Sequence, residues 1–389
     1  MDRLREITKK LNTPAYIFDE RQLKEQFDLI RANISPKVGV CFAMKANPFL
    51  IGISEKYADC IEVCSPGEYE ICIRNSIPPE KIIVSGVNKT AESMERILDY
   101  SGGAGIYTIE SPKHYEILCG LAKDKGLSMR VIIRLSSGNQ FGVDEETWLD
   151  IAKKIVSDKS LKLIGLHYYS GTQKKMSKIK KELDRLDDFA LKIKEETGIS
   201  ELLLEYGPGL LVSYFDDAED ENSSEQLKEL SFLIEDIDNY SSVTLEMGRF
   251  PASYCGFYFT EIVDIKIGEK GKYIIVDGGI HQLNYYGQML GMKHPYIEHI
   301  KNSTAQEDQR EKYTICGSLC TVNDVLVRDY ELSSPKVGDL LCFKRCGAYS
   351  VTEGMALFLS RELPEVRVCD IDNNVKIVRE IKQINTLNS

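Results

Sequence analysis

Residues 38–68 read VGVCFAMKANPFLIGISEKYADCIEVCSPGE. Two short apolar, β-rich runs, 38–44 and 61–64, bracket a longer helix-like stretch. The second run passes into Ser65-Pro66-Gly67-Glu68, an N-cap serine, a proline at the first helical position and a glutamate three residues past the cap. That pattern predicts a capping box and a helix start. Further strand candidates lie at 82–85, 105–108, 130–135, 163–168, 202–206 and 243–246. Between successive strands the apolar residues recur three or four apart, as in Met94, Ile97 and Leu98 or Trp148, Ile151 and Ile155, which is a helical period. Eight strands alternating with helices predict an α/β chain built as a (β/α)8 TIM barrel over residues 22–249. An open doubly wound sheet could also use eight strands, but no G-x-G-x-x-G follows the first.

Outside that middle the pattern changes. From residue 250 the helical period fades, and β-rich runs at 256–267, 273–277, 313–316, 339–344 and 366–369 are separated by Gly, Pro and charged turns. A second, C-terminal β domain is expected over 250–389, together with an N-terminal strand at 13–19 within residues 1–21. Polar stretches at 216–226 and 301–312 read as exposed loops.

Composition narrows the function classes. The 389 residues are 43% hydrophobic and 28% charged, an ordinary globular balance that excludes a disordered chain. No apolar run reaches the ~18 residues needed to span a bilayer, so no membrane is expected. Lys and Arg number 49 against 60 Asp and Glu, a net charge of −11. Such a surface repels phosphate backbones and argues against nucleic acid as a partner. The first six residues lack an apolar signal region, which points to the cytoplasm. The eleven cysteines are an odd number scattered through apolar stretches, and read as reduced thiols. Cys316, Cys320, Cys342 and Cys346 form two C-x3-C pairs, but beside strand-like runs rather than knuckle turns, so no metal is expected.

In a barrel of this kind chemistry sits at the C-terminal strand ends. The first strand ends in Lys45, which alternation places on the face of Cys41 and Ala43. It reads either as a solvated lysine or as a Schiff-base lysine with an activated amine. The sixth strand runs into Tyr169-Ser170-Gly171-Thr172 and the seventh into Gly207-Pro208-Gly209. Both offer small or hydroxyl residues suited to a phosphate, or simply to a turn. The eighth ends Glu246-Met247-Gly248-Arg249, a carboxylate and a guanidinium that could form an ion pair or serve a phosphorylated heterocycle.

Taken in order, these fragments resemble the pyridoxal-phosphate decarboxylases of the ornithine/diaminopimelate/arginine decarboxylase family, fold type III. The resemblance runs from Thr13 to about Val368. It includes Ala43-Met44-Lys45-Ala46-Asn47, Glu62-Val63-Cys64-Ser65-Pro66-Gly67-Glu68, Gly207-Pro208-Gly209 and Val276-Asp277-Gly278-Gly279. Cys320-Thr321-Val322-Asn323-Asp324 and Gly347-Ala348-Tyr349 complete it. It implies an alanine racemase-like architecture, a barrel plus a β domain, with pyridoxal 5'-phosphate as cofactor. By the same resemblance Lys45 joins the cofactor aldehyde, Tyr169 stacks on the ring, and Glu246 keeps the pyridine nitrogen protonated. Thr172, Gly207, Gly209, Gly248, Arg249 and Tyr349 hold the phosphate, and Arg249 also reaches a substrate carboxylate. Cys320 is the implied acid, entering from a second subunit, so the active sites are shared in a homodimer. Glu246 favours loss of carbon dioxide over racemisation, because racemases of similar fold carry an arginine there.

Departures from the family bear on the substrate. Thr321 stands where an acidic residue receives a distal ammonium, and Tyr285 and Met289 stand where an arginine and a tyrosine hold a distal carboxylate. Tyr169 replaces a stacking histidine, and Pro208 removes a donor from the glycine turn. The pattern is similar to a subgroup acting on carrier-tethered or conjugated amino acids. The expected function is therefore decarboxylation of a modified, conjugated or carrier-protein-tethered amino acid in a specialised pathway. Diaminopimelate decarboxylase and a non-catalytic homologue are the alternatives. His281 and His294 read as loop or surface histidines, and Asp324 as shaping the cysteine loop.

Overall fold

The computed structural model describes residues 11–216, 222–269, 271–302 and 309–389. Residues 1–6, and parts of both polar stretches, lie outside them. The chain divides into two compact units. One comprises Phe27–Leu211 and Glu221–Phe250, the other Met1–Gln26, Val212–Asp220 and Pro251–Ser389.

In chain order the first strand, β1 (Ala15–Asp19), belongs to the second unit. The first unit is a closed barrel of parallel strands: β2 (Gly39–Ala43), β3 (Cys60–Val63), β4 (Ile82–Val84), β5 (Ile106–Ile109), β6 (Met129–Arg134), β7 (Leu161–Tyr169), β8 (Leu203–Gly207) and β9 (Ser242–Met247). Closure is direct, with Cys41 of β2 opposite Glu246 of β9. One layer of the barrel packs Cys41, Ile83 and Ile132 with Cys60, Ile106, Ile164 and Leu203. On a strand, side chains two residues apart share a face. Apolar Cys60 is therefore followed inward by Glu62, and Leu203 by Glu205, one step nearer the C-terminal strand ends.

Caps set where the intervening helices begin. Ser65 Oγ accepts the Glu68 N–H at 3.1 Å at the start of helix Pro66–Arg74. Glu68 Oε2 accepts from the Cys64 N–H at 2.6 Å, one residue further back than a capping box requires. Thr90, Ser111, Asp144 and Asn222 cap later helices by the same chemistry.

The second unit is a mixed sheet. Its strands are β1, β10 (Gly256–Gly268), β11 (Gly271–Val276), β12 (Ile297–Ile300), β13 (Arg310–Cys316), β14 (Val325–Ser333), β15 (Leu340–Lys344), β16 (Glu365–Cys369) and β17 (Val375–Arg379). They run in the order β14-β13-β11-β10-β1-β16-β17, with β15 pairing β10 and β12. β1 lies antiparallel to β10 and parallel to β16. Ile17, Phe257, Phe259, Cys342 and Cys369 form a buried cluster between them. Two loop expectations are corrected. A helix starts at Ser223 within 216–226, and β13 starts at Arg310 within 301–312.

Candidate active site

Lys45 does not stand on the strand itself. β2 stops at Ala43, and Met44–Ala46 turn through one 3-10 segment. That turn aims the ammonium at the barrel axis, where Nζ lies 2.8 Å from Glu62 Oε2 and 2.6 Å from Glu246 Oε1. Gly248 permits this approach, because a Cβ there would sit 2.9 Å from the Ala46 Cβ and 3.3 Å from the Ala43 oxygen. The other Glu246 oxygen lies 3.0 Å from His167 Nε2.

Burial alone would raise the Glu246 pKa. Lys45 and His167 more than offset it and hold the carboxyl well below its usual range. Glu62 is pushed up, first by burial and then by the Glu246 charge, with Lys45 opposing. Glu205 is shifted furthest from ionisation. It is fully buried, faces Glu246 and Glu62, and has no hydrogen-bond partner at either oxygen among the described residues. The site thus holds one carboxylate kept charged and another kept neutral.

Tyr169 sits at the end of β7 with its ring centroid 5.7 Å from Lys45 Nζ. Beside it the Gly207 backbone runs so close that a Cβ would meet the Tyr169 ring at 2.5 Å. Gly209 adopts φ +59°, and a Cβ there would lie 2.2 Å from the Gly171 oxygen. The two turns therefore pack as one surface, with Thr172 half-buried at its edge. Gly248 bends the chain at the end of β9, and Arg249 begins the next short helical turn.

Several residues here were not singled out by sequence reasoning. Glu62 and His167 complete the Lys45–Glu246 cluster. Cys64 Sγ accepts from Lys45 at 3.9 Å, and burial raises this thiol, which stays protonated. Arg134 pairs with Glu110 at 3.3 Å and lies over Phe141. Lys89 is buried, donates to the Gly86 oxygen at 2.8 Å, and is pulled down by burial to about 8. The available signal was alternation from the apolar barrel layer, which assigns Glu62 to the interior.

The remaining candidates lie in the sheet unit. Cys320 is exposed on the loop between β13 and β14. Asp324 shapes that loop by accepting from Leu319 N–H at 2.7 Å and Ile280 N–H at 2.9 Å. Thr321 donates its N–H to Leu319 O and accepts from Asn323 N–H at its hydroxyl. Tyr349 is half-buried at φ +65°. Tyr285 is buried beside Tyr214 and Phe215, with its hydroxyl donating to Lys344 O at 2.6 Å. His281 lies on a turn, in keeping with the loop reading, but not at the surface. It is 3% exposed, burial pulls it to about 4, and neither ring nitrogen has a partner among the described residues. His294 lies against Tyr330, with Nε2 at 2.9 Å from Arg328 O.

The barrel residues suit a phosphorylated pyridine aldehyde: an amine, a buried ionised carboxylate beside it, and close-packed glycine turns next to an arginine. Residues 20–253 match the pyridoxal-binding domain of the pyridoxal-dependent decarboxylases. The chain belongs to this family. Among its relatives is the L-glutamyl-[BtrI acyl-carrier protein] decarboxylase of Niallia circulans, 26% identical over 96% of this chain and 92% of that protein. The diaminopimelate decarboxylase of Zymomonas mobilis is 26% identical over 99% and 94%. The 2-[(L-alanin-3-ylcarbamoyl)methyl]-2-hydroxybutanedioate decarboxylase of Staphylococcus aureus is 26% identical over 90% and 92%. The crystal structure of diaminopimelate decarboxylase from M. jannaschii shares the fold, with a TM-score of 0.84 at 24% identity over 98% and 92% of the two chains. Pyridoxal phosphate is thus the cofactor of this fold type III enzyme, a carboxy-lyase by family. Among the described residues no helix is long and apolar enough to cross a membrane.

Proposed function

We propose that this enzyme removes the α-carboxylate of a conjugated or carrier-tethered amino acid in the cytoplasm, as a homodimer with shared active sites. The observation that carries the reaction type is Glu246, ionised and buried between Lys45 and His167. An anion fixed there holds a proton on a ring nitrogen, which draws electrons from the reacting carbon. Bound in this site, pyridoxal phosphate supplies an aldehyde for the substrate amine and a ring that takes up the electron pair left by carbon dioxide.

The chain's own residues do the rest. Lys45 would hold the aldehyde carbon of the cofactor, and Glu62, 2.8 Å from its nitrogen, accepts a hydrogen bond from it. Tyr169 would cover the ring, while Thr172, Gly207, Gly209, Gly248 and Arg249 would receive the phosphate. Cys320 of the second subunit returns a proton to the carbon that lost carbon dioxide. Its exposure in one chain suits that role.

The substrate reading rests on Thr321. A hydroxyl in place of a carboxylate forgoes a charge-assisted contact of about 1.5–3 kcal/mol to a distal ammonium, roughly tenfold to hundredfold in binding. Tyr285 has no hydroxyl proton to give a distal carboxylate in this reading, since it donates to Lys344 O. A conjugate or carrier thioester masks the distal group and removes the need for either charge. The relatives from N. circulans and S. aureus, whose substrates are of those two kinds, support it.

Carbon dioxide release from an acyl-carrier-protein glutamyl thioester, an amide-conjugated diamino acid and free diaminopimelate tests the reading, with Lys45→Ala as the blank. Faster release from either conjugate is expected. Fast release from free diaminopimelate alone would assign the other activity, and release from none would leave a non-catalytic homologue.

A further inference from the structure

Behind the glycine turn lies a buried lysine that neither the resemblance nor the reaction uses. Lys174 follows β7, and its side chain is 2% exposed. Its Nζ donates to Gly207 O at 3.0 Å and to Glu182 Oε2 at 2.7 Å, with Ser170 Oγ and Tyr206 Oη also in reach at 3.3 and 3.4 Å. Its backbone N–H donates to Gly209 O at 2.8 Å. Tyr206 and Ser170 both donate to Glu182 as well, so the charge pair is enclosed in a satisfied network.

These bonds fix two carbonyls of the turn. In a trans peptide the C=O and the following N–H point in opposite directions. With Gly209 O held by Lys174, the Leu210 N–H is turned to the other side. The Gly207 carbonyl precedes Pro208 and has no N–H across its peptide to offer. Turned forward, that oxygen would present negative charge to a phosphate; held by the ammonium, it is kept away. A turn with one donor deleted by proline depends more heavily on this restraint than an all-glycine turn would.

We propose that the Lys174 ammonium is a positioning group for the cofactor phosphate: it holds the Gly207 carbonyl behind the turn, while the backbone N–H of the same residue holds that of Gly209, so that only N–H groups and the neighbouring side chains face the anion. The inference rests on the pyridoxal-phosphate reading of the barrel.

The test compares two aldehydes on the apoenzyme, pyridoxal phosphate and pyridoxal, which lacks the phosphate. Dissociation constants come from the visible absorption of the lysine-bound form. In Lys174→Met the affinity ratio of pyridoxal phosphate to pyridoxal should fall about tenfold or more, while pyridoxal binding stays within about twofold. A purely structural lysine would weaken both aldehydes alike, and that result overturns the proposal. Should Lys174→Met not fold, Lys174→Gln, which keeps a donor without the charge, takes its place with a smaller fall expected. An undiminished ratio in whichever variant folds also overturns it. If wild type captures neither aldehyde, the cofactor reading itself has failed.

Discussion

Glu205 shows most plainly how the site is tuned at the scale of one residue. Burial, then the charges of Glu246 and Glu62, push its carboxyl well above the ordinary value, with Lys45 opposing only weakly. A folded-state pKa raised above the unfolded one means that the native chain binds the extra proton between the two values. The stability contribution is complete below about pH 4.3 and is lost as pH rises through the folded pKa. Glu205→Gln mimics the protonated form. It should raise the melting temperature at pH 8, by about 2–4 °C per kcal/mol recovered, and leave it nearly unchanged near pH 4. Equal shifts at both pH values would refute the assignment of a neutral Glu205. Glu246→Gln tests the opposite tuning: release of carbon dioxide should drop about 10²–10³-fold, while Lys45 still takes up pyridoxal phosphate. Undiminished turnover would remove Glu246 from the chemistry. Lys45 and Glu246 were legible in the sequence because each lies at or just past a strand end within a fragment, 43–47 or 246–249, that carries the family resemblance. His167 and Glu205 were not singled out: alternation puts Glu205 on the face of Leu203, but that this face is the interior shows only once the barrel closes.

Elements were legible to the degree that their periods were regular. All eight barrel strands were anticipated within three residues at either end, because parallel strands buried on both faces read as unbroken apolar runs. In the sheet unit β12, β14 and β17 escaped notice. Ile-Glu-His-Ile in β12 is short and half-buried, β14 is broken by Asp329 at φ +51°, and β17 is largely exposed. Their strand character comes from pairing partners far along the chain rather than from local pattern. The turn that carries Lys45 is also an element-scale feature. It packs on the end of β9 only because residue 248 lacks a Cβ. Gly248→Ala should displace Met44–Ala46 from Glu246, cost about 1–3 kcal/mol of stability, and slow aldehyde uptake by Lys45 in stopped-flow absorption. Uptake at the wild-type rate would mean that the turn has slack.

At the scale of the whole molecule, the proposed chemistry is divided between units: Lys45 belongs to the barrel and Cys320 to the sheet unit. Cys320 lies exposed on a loop that Asp324 holds from two sides, so it is presented rather than packed. In the proposed homodimer it would serve the neighbouring chain's barrel, and an isologous contact would supply each site reciprocally. Two inactive variants distinguish this from a site completed within one chain. Lys45→Ala keeps its cysteine, and Cys320→Ala keeps its lysine. After dissociation and random reassociation of equal amounts, about half of the dimers are mixed. Each mixed dimer has one site with both residues intact and one with neither. Carbon dioxide release should therefore recover to roughly a quarter of the wild-type rate. If lysine and cysteine of one chain met in the same site, every site in every mixture would lack one of them. Mixing would then restore nothing, and the shared-site assembly would be wrong.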